Sequence, residues 1–209
     1  MAGAATRYFH STDVEVLNRL HRLLELSNPE TGHHIRRVKQ ISYLIALQLA
    51  LSPEEALIIR DAAPLHDVGK ILTPDHILEK KGPLTPQEQE IMRLHTLHGA
   101  EILGGGQSIL LRTAEMVARH HHERFDGWGY PSGLAGKDIP LAARIVAVAD
   151  ALDALAHDRA YRPALPGVAV ARHMRAEAGR QFDPDVIEAL WAAMSAQGAD
   201  TIEDFIASV

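Results

Sequence analysis

Two adjacent pairs, His66-Asp67 and His121-His122, carry side chains that hold metal ions. Neighbouring residues of a helix point about 100° apart, so a histidine and an aspartate side by side can address one ion while the carboxylate reaches a second. Either pair by itself is more often a satisfied core or surface pair. Asp150 adds weight, because it follows Ile145-Val146-Ala147-Val148-Ala149 and precedes Ala151-Leu152, a helix apolar on most of its circumference. A carboxylate buried there costs several kcal/mol unless a cation, a set of donors or a metal meets it, which leaves a metal and an arginine ion pair both open. His95 and His98 lie three apart and Glu30 and His34 four apart, spacings that put each pair on one helical face. Together these residues describe a metal centre of imidazole and carboxylate.

The elements that must position them are helices. Apolar residues recur at helical spacing, and no alternating run bounded by turns suggests a strand. Thr12 and Glu15 have capping-box spacing ahead of Val14, Leu17, Leu20 and Leu24, and Asn28-Pro29 interrupts that first helix. A second carries Ile35, Val38, Ile41, Leu44 and Leu49. Ser52-Pro53-Glu54-Glu55 and Thr85-Pro86-Gln87-Glu88 are start signals, with an N-cap, a proline at the first helical position and a glutamate at the third. Gly104 to Gly106 end the helix that contains His95, and the next is expected from about Ile109 to His122. Gly127 to Pro140 reads as a shaped loop, followed by helices over 141–156, from Asp183-Pro184 onward and around 202–206.

Composition narrows the chemistry. The 209 residues suit one well-buried core, at 46% apolar and 23% charged. No apolar run approaches the roughly 20 residues that span a bilayer, and no secretory signal is visible, so a cytoplasmic, membrane-free protein is expected. Without cysteine, any metal must sit among nitrogen and oxygen ligands. A net charge of -6 disfavours DNA or RNA as partner, while bound cations would still admit a small anionic substrate.

The chain resembles the HD-GYP domains, bacterial phosphodiesterases of cyclic di-GMP within the HD superfamily of metal-dependent phosphohydrolases. The resemblance runs from about Glu30 to Pro184. It is carried by Glu30-Thr31-Gly32-His33-His34, His66-Asp67-Val68-Gly69-Lys70, His95 with Gly99-Ala100-Glu101, and His121-His122-Glu123-Arg124-Phe125-Asp126-Gly127. Gly129-Tyr130-Pro131, Arg144 to Asp150, Asp153-Ala154-Leu155, Arg159-Ala160-Tyr161-Arg162 and Phe182-Asp183-Pro184 complete it. It implies an all-α, HD-type helical bundle without significant β-sheet, with residues 1–28 as a lead-in helix and 29–209 as the phosphodiesterase domain.

The implied metal ligands are Glu30, His34, His66, Asp67, His95, His121, His122 and Asp150, holding two or three divalent ions, iron or manganese, with Glu30 permitting the third. The resemblance selects His34 over His33 and His95 over His98. His33, His98 and His120 are then supporting or surface residues, and His10, His21, His76, His157 and His173 ordinary solvated ones. Lys70 is expected to contact a phosphate or the leaving oxygen, Arg159 and Arg162 to grip phosphates, and Tyr130 with Pro131 to shape the pocket and support a base. The implied reaction is hydrolysis of cyclic di-GMP to pGpG and on to GMP, with Asp67 and Lys70 as catalytic residues and no serine or cysteine nucleophile. The alternative is a catalytically weak module that binds a cyclic dinucleotide or a diguanylate cyclase. About 28 residues precede the resemblance, fewer than a receiver domain needs, so regulation is expected from elsewhere or not at all. A homodimer or a regulatory protein partner stays open.

Overall fold

The computed structural model describes residues 15–17, 19–23, 29–158 and 163–209, with the backbone alone at 29–31. Arg159, Arg162, the Glu30 side chain and most of the lead-in segment lie outside the described residues. Among the described residues from Pro29 onward there are ten α-helices: α1 (Pro29–Gln48), α2 (Pro53–Ala62), α3 (Asp75–Leu78), α4 (Pro86–Arg93), α5 (His95–Leu103), α6 (Ile109–His120), α7 (Leu141–Ala156), α8 (Gly167–Ala176), α9 (Pro184–Ala196) and α10 (Ile202–Ala207). Residues 15–17 and 19–23 are helical as well. Among the described residues the one β feature is an isolated bridge between Ala178 and Phe182, so the all-α expectation holds. No described helix is long and apolar enough to cross a membrane.

Local chemistry sets the helix starts. Ser52 and Thr85 each accept the backbone N–H of the third helical residue, Glu55 and Glu88, whose carboxylates return to the cap N–H. Each such cap stabilises its helix by about 1 kcal/mol. Asp183 caps α9 through the N–H of Asp185, and Ser108 caps α6 through Leu111. The stretch from Pro86 to Leu103 is two helices separated at Leu94. The break has a packing cause: α4 buries no residue, whereas α5 buries His95, Thr96, Gly99, Ala100 and Leu103.

Two apolar clusters form the core. Ile35 of α1 packs with Ile58, Leu65, Leu103 and Leu110, while Ile41 and Ile45 pack with Val146, Leu152, Val186, Leu190 and Phe205. Helix α1 belongs to both, and the change from one cluster to the other falls just after His34. Leu49 lies in the turn beyond α1 and is only partly buried.

One contact fixes the frame of the site. Two 3-10 turns, Ala63–Leu65 and Val68–Leu72, flank His66-Asp67, and the second lies against α5 so closely that a Cβ on Gly69 would stand 2.0 Å from the His95 carbonyl oxygen and 2.4 Å from the Gly99 nitrogen. Backbone cannot yield as a flexible side chain would. Gly69→Ala is therefore expected to lower the melting temperature by about 5–10 °C, corresponding to roughly 2–3 kcal/mol of overpacking. Gly99→Ala, whose Cβ would meet Ala118 Cβ at 3.1 Å, should cost clearly less. Equal melting of the two variants would refute this.

Candidate metal centre

Both doublets stand where helices stop. His66 and Asp67 occupy the turn between the two 3-10 segments, with Asp67 at φ -103°, ψ 9°, and His121 caps the C-terminus of α6 with His122 in the following turn. The expectation that each pair fans out from a regular helix, and that α6 continues to His122, is thereby corrected. His95 opens α5, His34 lies on α1 and Asp150 on α7.

Seven of the eight expected ligands converge in two groups, Asp67 with His95, His121 and His122, and His34 with His66 and Asp150. Asp67 lies between them. Its Oδ1 is 3.4 Å from His95 Nε2 and 3.7 Å from His121 Nε2, and its Oδ2 is 3.3 Å from His66 Nε2. In the second group His34 Nε2 is 3.5 Å and His66 Nε2 4.0 Å from Asp150 Oδ1.

Hydrogen bonding orients the rings. Nδ1 of His66 donates to Ala63 O at 2.9 Å, that of His95 to Met92 O at 2.7 Å, and that of His121 to Val117 O and Ala118 O, both at 3.1 Å. A carbonyl oxygen only accepts, so the proton sits on Nδ1 and Nε2 keeps its lone pair. His95 Nε2 and His121 Nε2 then face each other at 3.4 Å, lone pair to lone pair. Such opposition is unfavourable without a cation between the rings. His66 Nε2 and Asp67 Oδ1 are likewise buried with no hydrogen-bond partner, which normal interiors avoid. Separations of 3.3–3.7 Å approach the roughly 3.0–3.4 Å between donors that share one ion at about 2.1 Å. The residues present therefore fit divalent metals.

Electrostatics agrees. Burial and the neighbouring imidazoles of His122 and His66 hold His121 well below its ordinary value, and burial with His95 pushes His122 down to about 3. Both imidazoles are neutral near pH 7. Burial would raise the Asp67 carboxyl, but Lys70, His66 and His95 outweigh it and keep the group well below the carboxylate range. Burial alone would lower His66, yet Asp67 and Asp150 raise it.

The buried aspartate of α7 is Asp153, at 1% exposure, whereas the Asp150 side chain remains 23% exposed at the wall of a pocket. Asp153 makes the arginine ion pair that was one reading of Asp150. It is held by Arg37 Nε, accepts Arg37 Nη2 at 3.2 Å, and takes the Nδ1 proton of His34 at 2.6 Å, so the ring presents Nε2 to Asp150. Sequence reading registered Asp153 only as part of a motif; its place three residues after Asp150, on the same apolar helix, was the available signal. Asp153→Asn should destabilise the metal-free protein by about 3–5 kcal/mol, as expected when a buried charge loses its partner. Urea unfolding in chelator would measure this, and an unchanged midpoint would count against it.

Lys70 Nζ meets Asp67 Oδ2 at 2.5 Å. Tyr130 stacks on His122 with centroids 4.9 Å apart and planes 25° off parallel, and Arg93 lies 4.9 Å from the Tyr130 centroid. Burial raises the Tyr130 hydroxyl, and Asp67 adds to that, so the phenol stays protonated. The loop around it hangs on buried Glu123, which accepts the N–H groups of Ser132 at 2.8 Å and Leu134 at 3.2 Å. A pocket of about 410 Å³ opens beside both clusters, lined by His121, His122 and Asp150 together with Arg93, Trp128, Tyr130, Gln181 and His173. Pro131 is not part of its wall. His33 is exposed beside Arg36, and His120 faces Glu123. His157, half-buried, contacts Asp153, and His173, exposed as expected, stands at the rim of the pocket.

The sequence model of the HD domain family matches residues 18–186. The chain belongs to the HD domain family. This HD domain is 46% identical over 176 residues to the cyclic di-GMP phosphodiesterase response regulator RpfG of Xanthomonas campestris pv. campestris, covering 84% of the chain and 47% of the relative. It is 40% identical over 179 residues to the 3'3'-cGAMP-specific phosphodiesterase 2 of Vibrio cholerae, covering 86% and 34%. The HD domain thus spans about half the length, or less, of these curated relatives. Its fold matches that of Bd1817, an HDG"Y"P protein from Bdellovibrio bacteriovorus, with a TM-score of 0.63 and 22% identity, over 87% of this chain and 64% of the other. Its own motifs, Gly129-Tyr130-Pro131 among them, are those by which the chain resembles the HD-GYP branch.

Proposed function

We propose that this domain hydrolyses cyclic di-GMP to linear pGpG and on to GMP. The observation that carries the proposal is Asp67 standing between two histidine-carboxylate clusters that border one pocket. Two divalent ions bound there, iron or manganese, would bring a water to deprotonation near neutral pH and stabilise charge on the departing ribose oxygen. His34, His66, His95, His121, His122, Asp67 and Asp150 serve as ligands, with Glu30 admitting a third ion. Asp67 supplies one oxygen to each cluster. Lys70 neutralises Asp67 and lies ready for a phosphate oxygen, and Arg159 with Arg162 hold the second phosphate.

A second reading has support from the relative named as cGAMP-specific: 3'3'-cGAMP as the preferred substrate. Protein purified without oxygen and loaded with manganese or iron should be assayed on both cyclic dinucleotides, with products resolved by chromatography. The proposal expects a higher kcat/KM for cyclic di-GMP and GMP as a late product. Turnover of neither compound by fully metallated protein would overturn the enzymatic reading and favour a binding module.

A further inference from the structure

We infer that Trp128 is the stacking platform for a purine base of the substrate and sets affinity rather than turnover. The inference rests on the phosphodiesterase reading of the same pocket. Trp128 is 86% exposed, the most exposed large apolar side chain among the described residues, and it lines the pocket that borders both clusters. An indole offers a broad apolar face with a polar N–H at its edge, a combination enriched where partners and ligands bind.

The other aromatic of the loop is already engaged. Tyr130 has His122 stacked on its ring and Arg93 over it, a packing that steadies a metal-ligand candidate and leaves little ring for a base. The second tryptophan, Trp191, is partly buried under Arg175, whose guanidinium carbon lies 4.4 Å from its centroid. Among the described aromatics of the pocket, Trp128 has its ring free in solvent.

Its backbone, by contrast, is fixed. The Trp128 N–H donates to Asp126 Oδ1 at 3.1 Å, and Asp126 is gripped by Arg124 at 2.7 and 3.0 Å. The N–H of Asp126 reaches Arg180 O at 2.8 Å and that of Tyr130 reaches His122 O at 3.2 Å, which ties both sides of Trp128 to the rest of the domain. A rigid backbone carrying an exposed indole at the rim of a pocket is a preorganised surface, so little order has to be gained on binding. Every base has a π-face, so this contact strengthens binding of cyclic di-GMP and 3'3'-cGAMP alike and does not choose between them. Choice must then fall to groups that reach base edges.

The test uses metal-loaded holoenzyme and the variants Trp128→Ala, Trp128→Leu and Trp128→Phe. Ala and Leu should raise KM for either cyclic dinucleotide about 5- to 100-fold, with kcat within about threefold, and Phe should restore most of the affinity. Leu matters because it keeps apolar bulk without a π-face. A Trp191→Phe background isolates the fluorescence of Trp128, which cyclic di-GMP should quench on mixing, before any product forms. Unchanged KM in the Leu variant, or absence of quenching at saturating ligand, overturns the platform. Quenching without turnover would leave the platform standing and remove the phosphodiesterase reading, so the two failures are distinguishable.

Discussion

Asp67→Ala should abolish phosphodiester hydrolysis and lower the metal content by at least one ion while leaving helical circular dichroism intact. Its two oxygens face different clusters, His95 and His121 on one side and His66 on the other. Loss of that carboxylate leaves two cations less compensated against each other and removes the group that fixes their spacing. The loss in kcat should exceed the ~10²–10³-fold typical of removing a single stabilising donor. Helicity should survive because Asp67 makes no capping hydrogen bond and sits in a turn between helical segments. Lys70 would also lose its 2.5 Å partner. Turnover retained by metal-replete Asp67→Ala protein would sink the bridging assignment.

Chelation should lower the melting temperature by about 8–16 °C and abolish activity, and readdition of manganese or iron should restore both. Without a bound cation the His95 and His121 lone pairs would oppose each other at 3.4 Å, and His66 Nε2 and Asp67 Oδ1 would lack hydrogen-bond partners. Ligands that bind only the folded state stabilise it by about 4 kcal/mol at a thousandfold excess over Kd. For a domain of this size each kcal/mol moves the midpoint by about 2–4 °C. Little proton release from His121 and His122 is expected, since both are already neutral near pH 7. A melting temperature indifferent to chelator and metal would show that the clusters are structural and not metal-binding.

The amino-acid sequence by itself determined the helical class, most helix starts and the identity of the site candidates. Those properties are local. Ser52 and Thr85 cap helices through residues three positions away, α7 runs over the expected 141–156, and the histidine and aspartate motifs are contiguous words. The resemblance then separated His34 from His33 and His95 from His98, a choice that spacing left open.

Tertiary structure decided the rest, because the deciding partners are far apart in the chain. His34 is oriented by Asp153, 119 residues away, and His95 faces His121 across 26. No periodicity reveals that α7 buries Asp153 and leaves Asp150 at a pocket wall, since the two lie on the same apolar helix and differ only in which neighbours cover them. The His66-Asp67 doublet sits beside a 3-10 turn that Gly69 lets meet the backbone of α5, a contact made between segments that are only juxtaposed once folded. Trp128 drew no attention as a letter and His173 read as an ordinary solvated residue; the fold placed both on one pocket with Asp150, and shared position in space is the one property that sequence order does not encode.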